Sequence, residues 1–205
     1  MKITGLTGGI GTGKSTAASY LKKKGFGHID ADEISRELTA EGSPLLPLLD
    51  SVFGPDVDMG TSGRKILNDD GTLDRKALAD AVFTDQSKKE RLDSIMFTEI
   101  INVIEHRIKE FSDAGYRAVI LDAPLLFESG LDSKCDNIIL ITADMDTRIK
   151  RVCARDGVSP SDVRSRINSQ MSDDEKAMGA DMIIDNSGTE TELYSRLDEA
   201  AGTLL

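Results

Sequence analysis

The chain has 205 residues, 39% of them apolar and 30% charged, with a formal net charge of −11. That length suits one substantial α/β core with an insertion, a single domain over residues 1–205, and is short for two independent domains. No stretch approaches the roughly 18 to 20 uninterrupted apolar residues of a membrane span and no apolar signal-peptide core follows Lys2, so the expected setting is cytoplasmic with no membrane partner. The acidic balance likewise disfavours nucleic acid. Cys135 and Cys153 lack CxxC spacing or a matching set of histidines, which argues against a disulfide framework or a zinc site and leaves both as small packing residues.

In chain order, residues 2–7 predict a short buried strand running into the stretch GGIGTGKS at 8–15, with a helix from Ser15 to Lys24 behind it. Residues 28–32 (HIDAD) read as a second short strand ending in carboxylates. From Glu33 to about Ala114 helical patterns dominate, over 34–38, 45–53, 75–83 and 87–114, so 33–114 is a helical insertion. The stretch from Pro55 to Gly71 is expected as an exposed loop. Strand signals return at 117–122, 137–142 and 181–185 as near-continuous apolar runs, the pattern of a parallel sheet buried on both faces. Strands interleaved with helices give a doubly wound parallel α/β sheet with ligands at the carboxyl ends of its strands, where the glycine loop, Asp32 and Asp122 all fall.

GGIGTGKS satisfies G-x-x-x-x-G-K-[ST] in the strand-to-helix context that gives the pattern its meaning. Gly8, Gly9, Gly11 and Gly13 let backbone N–H groups turn inward around phosphate oxygens at the positive end of the helix. Lys14 supplies a point charge to the β- and γ-phosphates, and Ser15 a hydroxyl ligand for Mg²⁺. Asn-Lys-x-Asp, the guanine-reading stretch, is missing, which leaves motor-type ATPases and small-molecule kinases open.

Asp32 is placed to orient an acceptor hydroxyl. With an ordinary carboxylate pKa of about 3.9 it takes the proton late, which suits a loose transition state. Its alternative is a helix N-cap. Asp122 reads either as a Mg²⁺-holding carboxylate or as an ordinary loop aspartate before Pro124. Arg148, Arg151 and Arg155 share one side of a helix and sit in a segment, 145–178, with a local excess of cations in an acidic chain. Facing the nucleotide they form a lid, and facing water a solvated surface; their concentration favours the lid, with Arg151 and Arg155 on the transferring phosphates. His28 reads as strand edge and His106 as helix surface.

Beyond these motifs, the blocks GLTGGIGTGKST, IDADEISREL, GTLDRKAL, LDAPLLFESGL, RVCARDG, SRINSQM and ADMIIDNSG occur in the order found in dephospho-CoA kinases, which the whole chain resembles. The resemblance implies a P-loop NTPase-type fold with a helical insertion and helical lid, and ATP- and Mg²⁺-dependent phosphorylation of the ribose 3′-hydroxyl of dephospho-coenzyme A, the last step of coenzyme A synthesis. It places the ATP phosphates on residues 11–16, Thr12 and Thr16 among them, the acceptor hydroxyl at Asp32, Arg151 and Arg155 in the lid, and the coenzyme A moiety on the insertion. A monomer or weak homo-oligomer is expected. Phe97 and Thr98 stand where the family commonly has His-Pro, leaving the long helix without a proline break, and the loop from Pro55 to Asp70 is longer than usual. Other small-molecule kinases, of nucleoside or shikimate type, and a nucleotide-binding module without turnover are the competing readings.

Overall fold

The computed structural model describes residues 1–54, 65–83 and 85–204, and the expected loop from Pro55 lies, up to residue 64, outside them. Five parallel strands, β1 (Lys2–Thr7), β2 (Gly27–Asp30), β3 (Ala118–Asp122), β4 (Asn137–Thr142) and β5 (Met182–Asp185), form one sheet in the order β2-β3-β1-β4-β5. The helices are α1 (Lys14–Lys23), α2 (Ala31–Leu38), α3 (Leu45–Phe53), α4 (Arg75–Phe83), α5 (Gln86–Asp113), α6 (Met145–Asp156), α7 (Pro160–Asn168), α8 (Asp173–Ala177) and α9 (Glu190–Leu204).

The chain divides into two compact units, residues 1–30 with 107–205, and residues 31–106. The first holds the sheet. All five residues of β3 are buried, and its alternating side chains serve two layers. Ala118 and Ile120 join Leu6, Ile139 and Ile141 under Ala17, Ala18 and Leu21 of α1 and Leu193, Leu197 and Ala200 of α9. On the opposite face a Cβ at Gly27 would come within 2.8 Å of both Phe111 and Val119, so only glycine lets this end of α5 lie on the strand. The final turns of α5 thus belong to the sheet unit, and the helical unit ends short of Ala114.

The second unit is helical, with Leu45, Leu49, Phe53, Ile66, Leu78 and Val82 as its buried centre. One bridge, Leu67 to Leu73, interrupts the helices. Helix α5 runs unbroken past Phe97 and Thr98; both are exposed, and the Thr98 hydroxyl donates to the Ser94 carbonyl at 2.8 Å. No helix among the described residues is long and apolar enough to cross a membrane.

The structure corrects the expectation that strand character continues to Asp32. Strand β2 stops at Asp30, and Asp32 lies with Glu33 in the first turn of α2. Carboxylates are favoured there because the helix dipole presents its positive end.

Candidate active site

Strand β1 sits between β3 and β4, so its carboxyl end is the point where successive crossovers diverge to opposite edges of the sheet. The glycine loop occupies that point. Gly11 and Gly13 take φ of 80° and 90°, and Gly13 caps α1 in the left-handed conformation. A side chain there would be strained and would also collide with the Asn186 amide. Helix α1 has no side-chain cap and no acidic residue in its first turn, which leaves its positive end available to an anion. Within the loop, the buried Thr12 hydroxyl and backbone N–H both return to the Gly9 carbonyl, at 2.9 and 3.2 Å. Gly8 is buried, Ser15 is exposed, and the Thr16 N–H bonds the Gly13 carbonyl at 3.0 Å.

Lys14 pairs with Asp122 Oδ1, and His28 Nε2 stands 3.2 Å from Oδ2 of the same carboxylate. Asp122 is only 3% exposed. A buried carboxylate is stable as an ion only when paired and hydrogen-bonded, and here a strand neighbour and the loop lysine supply both contacts. Asp122 thus closes β3 as a buried carboxylate paired on both oxygens.

Several further polar side chains hold the loop, and sequence reasoning either assigned them elsewhere or gave them no role. Arg148, expected on a lid face, is 5% exposed; its Nε donates to the Ile10 carbonyl at 2.8 Å and its Nη1 to Asp173 at 3.0 Å. Gln170 Oε1 accepts from the Ile10 N–H at 3.0 Å, so both backbone polar groups of Ile10 are taken by one segment. Asn186 Nδ2 donates to the Thr12 carbonyl at 2.8 Å. Lys176, wholly buried, reaches the Pro124 carbonyl at 2.8 Å and Glu128 at 3.3 Å, bracing the chain just beyond Asp122. The one signal that could have marked Asn186 is its position directly after a buried strand. Arg148, expected on the lid face, and Lys176, part of the local cation excess, carried no such mark of burial.

Arg151 is half-buried, with Nη1 3.5 Å from the carbonyls of Gly11 and Thr12. With Gly13, Thr16, Asn186, Glu190 and Leu193 it lines a cavity of about 220 Å³. Arg155 lies elsewhere: its side chain is 62% exposed and grips Asp156 through two bonds of 2.7 and 3.0 Å, and Arg166 shares that carboxylate. The three arginines are therefore not equivalent. Asp32, exposed at the start of α2, belongs to the helical unit. That unit has its own cleft of about 270 Å³, in which Arg36, Thr39 and Arg75 meet Leu73, Leu78, Val82, Leu92 and Met96.

A glycine loop at the switch point of a parallel sheet, with its lysine beside a strand-end carboxylate, defines a P-loop nucleotide-binding protein. A shikimate kinase from Bacteroides thetaiotaomicron shares this fold at a TM-score of 0.51 and 13% identity over 99% of this chain and 98% of that one. The family model for dephospho-CoA kinase matches residues 2–192, and the chain belongs to that family. A dephospho-CoA kinase from Corynebacterium glutamicum is 37% identical over 201 residues, covering 98% of this chain and 96% of its own. The solved dephospho-CoA kinase from Campylobacter jejuni superposes with a TM-score of 0.72 at 26% identity, over 98% of this chain and 96% of that one.

Proposed function

We propose that this protein transfers the γ-phosphoryl group of ATP to the ribose 3′-hydroxyl of dephospho-coenzyme A, giving coenzyme A and ADP, in the cytoplasm. Family membership supports the reaction. The observation that carries the donor site is Lys14 poised at the loop mouth against a buried Asp122.

In this reading the backbone of Gly8, Gly9, Gly11, Thr12, Gly13, Lys14, Ser15 and Thr16 cradles the phosphates, and Lys14 places its charge on the β- and γ-groups. The cavity beside Gly13 and Thr16 takes the adenine, with the Arg151 guanidinium and Asn186 in its wall. The acceptor oxygen attacks Pγ, and the bond from Pγ to the β,γ-bridging oxygen breaks. Asp32 orients the hydroxyl and takes its proton as that bond breaks. Arg151 stabilises charge on the transferring group. Segment 145–178 acts as a lid, with the exposed Arg155 joining the phosphates when it closes.

Ser15 and Asp122 offer hard oxygen donors, the chemistry Mg²⁺ requires. Among the described residues no group of three His, Cys, Asp or Glu could hold a metal by itself. A cation held by Ser15 and Asp122 would need further ligands from phosphates and water, as Mg²⁺ sites characteristically do. When bound, the cation neutralises the phosphate oxygens.

The helical unit holds the acceptor. Its cleft combines an apolar wall with Arg36 and Arg75, which suits a thiol-ended aliphatic arm attached to a diphosphate. Coupled measurement of ADP release tests the whole reading. Dephospho-coenzyme A is expected to stimulate it, and adenosine, other nucleosides and shikimate are not; no response to dephospho-coenzyme A overturns the assignment.

A further inference from the structure

One carboxylate, Asp122, is held from two sides, by Lys14 at Oδ1 and by His28 at Oδ2. The strand register accounts for the second contact. His28 lies opposite Ile120 and Asp30 opposite Asp122, so His28 and Asp122 share a face of the sheet as diagonal neighbours, within reach of an imidazole. The same register sets the Asp30 backbone directly across from that of Asp122, a placement in which like charges repel and a carboxylate needs a fixed partner.

Lys14 alone holds that carboxylate less firmly once ATP is bound. Its three N–H donors are then divided between Asp122 and the nucleotide phosphates. His28 is tethered in the neighbouring strand, its side chain is 18% exposed, and no phosphate chemistry calls it away. An ionised carboxylate only accepts hydrogen bonds, so the geometry assigns the ring proton to Nε2.

We propose that His28 is a positioning residue, which keeps Asp122 aimed at the metal–nucleotide site while Lys14 divides its donors between that carboxylate and the phosphates. The proposal rests on Asp122 as a metal-holding group. It extends to this carboxylate the general pattern that hydrogen-bond partners behind a ligand fix its orientation and tune metal affinity.

The test compares His28→Val, which removes the donor and keeps a good strand former, and His28→Asn, whose amide is too short to reach, with His28→Gln, whose amide N–H can replace Nε2. Binding of a fluorescent ATP analogue is titrated with and without Mg²⁺, alongside steady-state kinetics. In the Val and Asn variants the Mg²⁺ concentration for half-maximal enhancement of binding rises roughly tenfold. Binding without Mg²⁺ stays within about twofold of the parent, kcat falls, and His28→Gln restores both readouts. A Mg²⁺ titration unchanged in both Val and Asn variants overturns the proposal, as does failure of Gln to restore it while folding and Mg²⁺-free binding are intact. Asp122→Asn separates the premise: if it leaves the Mg²⁺ dependence untouched, Asp122 is not a metal group and the reading beneath the proposal falls.

Discussion

Single residues in this protein take their meaning from what lies against them. Replacing Lys14 by Ala removes the charge directed at the phosphates and one partner of a buried carboxylate. ATP affinity and turnover should fall together, with kcat/KM lower by roughly a hundredfold or more; unchanged kinetics would remove the donor site from the loop. Asp32→Asn should separate the two quantities, cutting kcat by about a hundredfold or more while ATP affinity, followed by titration, hardly moves. Equal loss of ATP binding would place Asp32 on the nucleotide instead. Cys135 carries a different expectation. Burial, helped by Asp132 and Asp136, pushes its thiol up to about 12 from 9.0. In the folded protein it stays protonated at pH 8 and should resist alkylation until urea unfolds the chain, as peptide mass spectrometry would reveal. The linkage has a definite sign: because the folded pKa is the higher one, the thiol costs stability as pH rises from about 9 toward 12, where the unfolded chain releases its proton first. Cys135→Ala should flatten that alkaline decline in denaturant midpoints.

At the scale of elements, the segment from α6 to α8 is tied to the glycine loop as well as being a candidate lid. Ile10 of the loop packs against Ile149, Val152, Val163 and Ile167 of α6 and α7, and its peptide is gripped by Arg148 and Gln170. The helices are defined locally: Asp144 caps α6, and Ser159 and Ser172 open α7 and α8 with capping boxes. Those starts are readable from sequence because capping is a contact across three residues. The burial of Arg148 is not, since its helical spacing with Arg151 and Arg155 is equally that of a solvated stripe. Arg148→Ala should weaken ATP binding by loosening the loop, and should lower stability by about 2–3 kcal/mol in urea unfolding through the loss of charge-assisted hydrogen bonds. Arg155→Ala, which breaks only an exposed pair with Asp156, should leave stability nearly unchanged. Similar losses in the two variants would contradict their different placements.

Over the whole molecule, stability is expected to be uneven. Strands β1, β3 and β4 occupy the middle of the sheet, while β2 and β5 are its edges and Ile183 of β5 is 52% exposed. Hydrogen exchange should therefore be slowest in β1, β3 and β4 and faster in β5, and ATP should add protection over residues 8–16 and around Arg151. Uniform exchange across the five strands would contradict this layering. In the proposed reading the two substrates meet different kinds of surface: a strand-end loop in the sheet unit for the phosphates, and a cleft among helices in the helical unit for the acceptor.

What sequence alone determined about this protein is what depends on neighbouring residues: the strand–loop–helix around the glycine motif, the apolar runs of a parallel sheet, and the helical periodicity of residues 34–53 and 75–113. Even there its reach ended at a helix start, where Asp32 turned out to follow the last strand residue instead of closing the strand. Tertiary structure decided which polar side chains meet. Lys14 and Asp122 are separated by 108 positions, His28 and Asp122 by 94, Ile10 and Arg148 by 138, and Thr12 and Asn186 by 174. Nothing in the local pattern distinguishes a charged residue that will be solvated from one that will be buried against a distant carbonyl or carboxylate. Only closing the sheet brings those partners within hydrogen-bond range and makes the pairing outweigh the cost of removing each group from water.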